Sequence, residues 1–154
     1  MWPKLKKQVA VEVEQIRRLL ETHHPLLKKC ARVKPDAIER SALAAMLHSF
    51  YNGVENIFRR VSVEVDGKAF KGELWRRELL ETMAQSDKNR PALISGELKN
   101  QLRGYLEFRH VFRHAYTFEL RWEKMAELVL GCEEIFTRLE TEIDRFLEND
   151  QPAL

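Results

Sequence analysis

The chain has 154 residues, 44% of them hydrophobic and 32% charged, enough to bury one sizeable core, and we expect a single domain over 1–154. Its 26 basic and 24 acidic residues leave a net charge of +2, too small to indicate a nucleic-acid partner by bulk charge alone. Only six glycines and five prolines argue for long helices and few turns.

In chain order, Leu5, Val9, Val13, Ile16 and Leu20 step by three or four residues, the period of one buried helix face. Pro25 is expected to end or kink that helix. Pro35-Asp36 opens a second helix, with Leu43, Met46, Leu47, Phe50, Val54, Ile57, Phe58 and Val61 as its stripe. The stripe fades into Val61–Val65, which alternates like a strand, and then Asp66-Gly67, a turn signal. With no pairing partner in view, this reads as a helix end and a loop. Gly72-Glu73 starts a shorter helix carrying Leu74, Trp75, Leu79, Leu80 and Met83, and Asp87 to Pro91 is a polar connector. Ser95 suits an N-cap, with Glu97 placing a carboxylate in the first turn. The last helix runs from near Arg121 to Glu148 on Met125, Leu128, Cys132, Ile135, Phe136, Leu139, Ile143, Phe146 and Leu147. The expected fold is all-α: an antiparallel up-and-down bundle of four long helices plus a short one. Gly53 and Gly104, inside helices at about 1 kcal/mol each relative to alanine, suggest close helix approach.

Cys30 and Cys132 lack CxxC spacing and read as reduced thiols, with a cytoplasmic location the simplest reading. Met1-Trp2-Pro3-Lys4 has no apolar segment of a secretory signal. No apolar run approaches the roughly 18 residues of a membrane span, so no membrane role is expected.

The residues richest in chemistry are Arg109-His110-Val111-Phe112-Arg113-His114-Ala115-Tyr116, in the helix that follows Ser95. At about 100° per residue, Leu98, Leu102, Tyr105 and Leu106 share one face, and Arg109, Arg113 and Tyr116 continue it. Glu107, His110 and His114 lie about 120° away. A guanidinium on a packing face is costly without a partner or a solvated cleft, an inconsistency that often marks a functional site. Arg109 and His114 are about 140° apart on a regular helix. For both to reach one phosphate, the helix must end, kink or bulge near His114, or a second chain must complete the site. Taken alone, an Arg and a His five apart occur by chance in many helices. His110 reads as a support or packed histidine ahead of a base. Arg113 reads as a solvated or phosphate-steering cation, and Tyr116 by itself as an ordinary residue at the edge of the core.

Arg109-x4-His114-x-Tyr116, with His110 directly after the arginine, resembles the signature of HepT-like toxins in the HEPN superfamily of ribonucleases. Ser49-Phe50-Tyr51-Asn52-Gly53-Val54-Glu55-Asn56-Ile57-Phe58 resembles the second-helix segment of the same family. The resemblance implies a HEPN helical bundle and a homodimer whose two motifs meet in one cleft. It implies metal-independent endoribonuclease activity at Arg109 and His114 with His110 in support. It also implies a type VII-like toxin–antitoxin pairing with an MNT-type nucleotidyltransferase that silences the toxin by AMP transfer to Tyr116.

The residue types agree with that chemistry. RNA carries its own nucleophile, the 2′-OH. Its cleavage needs a base, an acid and a cation, roles that histidine and arginine fill. No cofactor and no metal are expected: no carboxylate cluster has metal spacing, and His23, His24 and Cys30 lack a recognised ligand pattern. Arg103, Arg109, Arg113, Arg121 and Lys124 surround the motif, and Arg103 and Arg113 are the candidates for contacting RNA. The basic N-terminal residues Lys4, Lys6, Lys7, Lys28, Lys29, Arg32 and Lys34 read as a solvated face. Asn52, Glu55, Asn56 and Arg59 form a polar face on the second helix, where Glu55 and Arg59 are spaced to pair. The alternatives are a non-catalytic helical module that binds a nucleotidyltransferase, and a plain helical interaction protein.

Overall fold

The computed structural model describes residues 2–116 and 119–148. Among them are five helices: α1 (Pro3–Cys30), α2 (Ala37–Glu64), α3 (Trp75–Met83), α4 (Gly96–His114) and α5 (Trp122–Glu148). The expected all-helical bundle of four long helices and one short one is what the chain forms. Val61–Val65 is the end of α2 and the start of a loop rather than a strand, and Gly67 takes the positive φ of 64° that the turn requires.

The helix signals act where their chemistry demands. Asp36 accepts from the Glu39 backbone N–H at 2.8 Å while Glu39 accepts from that of Asp36 at 3.0 Å, a complete capping box. The Ser95 hydroxyl accepts from the Leu98 N–H at 3.1 Å. Pro25 does not end the first helix, one of the two outcomes expected of it. It lies inside α1, which continues to Cys30. A proline removes one helical donor, but Leu20, Leu27 and Cys30 are buried on either side of it. Tertiary burial of the flanking turns outweighs the local break.

α2 is the middle of the bundle, with α1, α3, α4 and α5 each packed on it. This explains why it is buried well beyond one stripe. Leu43, Met46, Leu47, Phe50, Val54, Ile57, Phe58 and Val61 are all buried, but so are Tyr51, Gly53, Glu55 and Ser62 on its other faces. At about 1.5–3 kcal/mol for each fully buried large apolar side chain, this helix anchors the core. The two helical glycines mark close approaches. A Cβ at Gly53 would stand 2.7 Å from Cγ1 of Ile16 on α1, and one at Gly104 would stand 3.1 Å from Cδ2 of Leu128 on α5. Beside Gly104, the Tyr105 hydroxyl donates to the Leu128 carbonyl at 2.7 Å and its ring meets Phe50 at 5.2 Å. These contacts fix α4 between α2 and α5.

The connector at 87–91 is more than polar filler. Arg90 is buried and forms a two-point ion pair with Asp66, Nε to Oδ1 at 2.7 Å and Nη2 to Oδ2 at 3.1 Å. Its remaining donors reach the carbonyls of Thr82, Gln85 and Pro91. One side chain thus joins the loop after α2 to the C-terminal end of α3, and so sets how α3 lies against the bundle. Removing one partner of a buried pair strands the other. Arg90→Ala is therefore expected to lower stability by about 3–5 kcal/mol, measured by urea denaturation. A loss no larger than that of an exposed-arginine substitution would contradict this role.

Candidate functional site

α4 carries the site because its buried stripe bends away from its arginines. Leu98, Leu102, Tyr105 and Phe108 are buried, and Phe112 continues that line, stacked on Phe108 at 6.3 Å. The buried face therefore passes to Phe108 and Phe112 rather than giving way to arginine, as the helical wheel suggests. Arg109 is half-buried beside it and Arg113 is exposed. α4 ends at His114, and Ala115 is extended, with φ −114° and ψ 146°. Tyr116 therefore lies beyond the helix, 71% exposed, and does not continue the Arg109–Arg113 face. Its carbonyl accepts from the Glu119 N–H at 2.9 Å. The chain is re-anchored just after, where Leu120 is buried and its carbonyl accepts from Arg40 Nε at 3.1 Å.

Arg109 and Arg113 open into a cleft between α3 and α4 of about 500 Å³. Arg76 and Arg77 stand on its α3 side, and Arg103, Arg109, His110 and Arg113 on its α4 side. Leu74, Leu80, Leu106 and Val111 supply apolar surface. Glu73, Glu81 and Glu107 offset part of the charge, and Glu81 accepts from Arg103 at 2.6 Å and from Lys99 at 3.0 Å. Arg103 is thus a strut between α3 and α4 as well as a wall of the cleft, while Arg121 and Lys124 do not line it. His110 and His114, one turn apart, face one another with ring centroids 4.7 Å apart. His114 does not line the cleft, and because α4 stays helical to His114, five residues place it about 140° around the helix from Arg109.

Beneath the cleft lies a layer of polar groups from α2. Arg109 donates through Nε to Asn52 Oδ1 at 3.3 Å. Glu55, 5% exposed, accepts through Oε1 from Arg76 Nε at 3.1 Å, while its Oε2 is buried without a hydrogen-bond partner. The expected Glu55–Arg59 pair is replaced: Glu55 turns inward to Arg76, and Arg59 lies over the Trp75 ring at 5.2 Å. Burial pushes the Glu55 carboxyl above the usual carboxylate range, against the pull of Arg76 and Arg109. Burial, then Arg76, pushes the Arg109 guanidinium down from its ordinary value, and Glu55 opposes them. Tyr51 is buried beside these groups, and its phenol is pushed up by burial and by Glu55.

His48 and Asn52 are four residues apart, as are Tyr51 and Glu55, and the two pairs are offset by three, so one face of α2 presents all of them. That spacing is the signal by which His48 and Tyr51 join the polar face recognised at Asn52 and Glu55. Nothing local distinguishes Arg76 from Arg77 in the sequence. Only the packing of α3 on α2 does. His23 and His24 make separate contacts, with the Leu19 carbonyl and with Glu133. Among the described residues, no group of three or more His, Cys, Asp or Glu side chains is placed to hold a metal ion.

His48 packs against Phe112 with its ring tilted by 43° and the centroids 5.1 Å apart, and its Nδ1 is buried without a partner. Burial, followed by Arg109, Arg113 and Arg76, holds its pKa below the ordinary 6.5. The folded pKa lies below the unfolded one, so the unfolded chain binds more protons in this range. The stability contribution of neutral His48 is full above about pH 6.5 and is lost as pH falls toward the folded pKa. His48→Gln is therefore expected to lose less stability than the parent between about pH 7.5 and about pH 5, measured by urea denaturation at each pH. Equal losses would show that His48 does not carry this dependence.

The comparisons with known proteins agree with this architecture. A family model described as HepT-like protein matches residues 42–149, a span that takes in most of α2 and all of α3, α4 and α5. No curated protein and no solved structure shows significant similarity to the chain. No helix among the described residues is long and apolar enough to cross a membrane. With the matched span covering most of its length, and with an all-helical fold that places the Arg109–Tyr116 stretch at the end of α4, this chain belongs to the HepT-like family of the HEPN superfamily.

Proposed function

We propose that the protein is an endoribonuclease that cleaves RNA at a site built on Arg109 and His114. One observation carries this reading. Arg109 is anchored to α2 through Nε, at the edge of a cleft rich in arginine, with His110 directly after it and His114, in ring contact with His110, at the end of the same helix. Membership of the HepT-like family supports it.

In this reading a phosphodiester enters beside Arg109, whose planar fork suits two non-bridging oxygens. A histidine accepts the proton of the 2′-OH, and the 2′ oxygen bonds to phosphorus. Arg109 stabilises the charge of the phosphorane. The bond from phosphorus to the 5′ oxygen then breaks as a second histidine donates a proton to it. The products are a 2′,3′-cyclic phosphate and a 5′-hydroxyl. One chain presents Arg109 and His114 on different sides of α4, so we assign the two proton transfers to His114 of two protomers in a C2 homodimer. His110, its ring tilted against that of His114 at 4.7 Å, orients it. Arg113 and Arg103 extend the phosphate path along the cleft. The dimer acts as the toxin of a pair with a nucleotidyltransferase of the MNT type. The Tyr116 hydroxyl attacks the α-phosphorus of ATP, releases pyrophosphate and loses its proton. The added phosphate and its bulk then lie near the arginines that receive RNA.

His114→Ala and Arg109→Ala are each expected to lower RNA cleavage by about 100-fold or more, with unchanged circular dichroism and with the parent's activity unaffected by EDTA. Parental cleavage by purified His114→Ala would remove the mechanism. After incubation with ATP and the partner nucleotidyltransferase, intact-protein mass spectrometry is expected to show a nucleotide on the parent and none on Tyr116→Phe. Equal addition to both would place the modification elsewhere.

A further inference from the structure

Two guanidinium groups in the α3–α4 cleft are held in the same way. Arg109 is fixed through Nε to Asn52, and Arg76 through Nε to Glu55. Among the described residues, neither makes a hydrogen bond through its Nη groups, so both forks keep their outer donors for a ligand. Arg76 is held on a further side by the Trp75 ring, 4.2 Å from its guanidinium carbon, and about a third of its side chain is open to the cleft (31%). Its anchor is a carboxylate almost entirely removed from water, and a buried carboxylate is retained at a cost unless a cation is held against it. Glu55 therefore fixes the place of Arg76 as Asn52 fixes that of Arg109. Two like charges brought to one cleft repel each other, and Arg76 acts against the Arg109 guanidinium with Glu55 offsetting it only in part. An anion between them relieves that repulsion.

We propose that Arg76 is a second phosphate-binding residue, which takes a phosphodiester of the RNA chain other than the one cleaved and is held in place by Glu55. This rests on reading the cleft as the RNA site. Leu74, Leu80, Leu106 and Val111 line the same cleft, and their apolar surface suits the base or sugar joined to that phosphate. The cleft, at about 500 Å³, has the dimensions of a small-ligand pocket rather than of a groove for a duplex. The ligand is thus a nucleotide unit of a single strand.

The test is fluorescence anisotropy with a short labelled 2′-O-methyl RNA, which lacks the nucleophile and so reports binding alone, measured across a salt series. Arg76→Ala leaves Glu55 buried without its cation, so the double variant Glu55→Gln/Arg76→Gln is measured beside it. That variant keeps a neutral hydrogen-bonding pair. Both are expected to bind roughly ten- to a hundredfold more weakly than the parent. Their salt slopes should be smaller by about 0.7, the loss of one phosphate contact on a single strand. Arg60→Ala, on the exposed face of α2 outside the cleft, should leave both quantities unchanged. Parental affinity in the double variant, or weaker binding with an unchanged salt slope, would overturn the assignment while leaving the RNA site standing if the parent still binds and cleaves. A parent that neither binds this RNA nor cleaves its unmodified counterpart would overturn both.

Discussion

The constraint on which the rest of the site depends is the burial of Glu55 in the middle of the bundle. α2 is covered by all four other helices, so a carboxylate on its inner faces cannot remain hydrated. Desolvation of an unpaired carboxylate is among the largest penalties a core can carry. Arg76 on α3 answers it directly, and the charge of Arg109 on α4 contributes. Three helices are thereby tied together around one charge. The cations that result are fixed at the wall of a cleft rather than free on a surface. Fixed cations act on a phosphate more strongly than mobile ones because their positions are set before the ligand arrives.

The apolar packing serves that arrangement. Phe108 and Phe112 carry the buried line of α4 past Arg109, and His48 closes it with a neutral ring against Phe112. The close approaches at Gly53 and Gly104 bring α1 and α5 against α2 and α4. The Arg90–Asp66 pair sets the far wall of the cleft through α3. Stability and the site are therefore not separate layers. The contacts that position α3 and α4 also define the width of the opening between Arg76 and Arg109.

Much of this was legible from periodicity and from end signals. The stripes of α2 and α5, the cap at Ser95, the start of α2 at Pro35-Asp36 and the approach at Gly53 each follow from local chemistry that the fold does not override. Pro25 does not stop α1 because its local cost is outweighed by burial on both sides of it. Arg76 was invisible because its neighbour Arg77 is the same residue type, and only the inward turn of Glu55 separates them. The wheel reading of Arg109 and Arg113 as heirs to the apolar face was incomplete. The face continues through Phe108 and Phe112, and the arginines border it. The out-of-phase placement of Arg109 and His114 was plain from their spacing, and the end of α4 at His114 leaves it in place within one chain. Tyr116 shares the arginine face only if the helix persists, and the extended backbone at Ala115 removes that condition.

The proposed chemistry has a signature in its products, independent of which side chain is altered. Attack by the 2′-OH leaves a 2′,3′-cyclic phosphate on one fragment and a 5′-hydroxyl on the other, whereas attack by water on the 5′ side of the phosphate leaves a 3′-hydroxyl and a 5′-phosphate. Mass spectrometry of the fragments released from a defined RNA by the purified protein separates the two outcomes. The account predicts cyclic phosphate and 5′-hydroxyl ends, and fragments ending in 3′-hydroxyl and 5′-phosphate would contradict it.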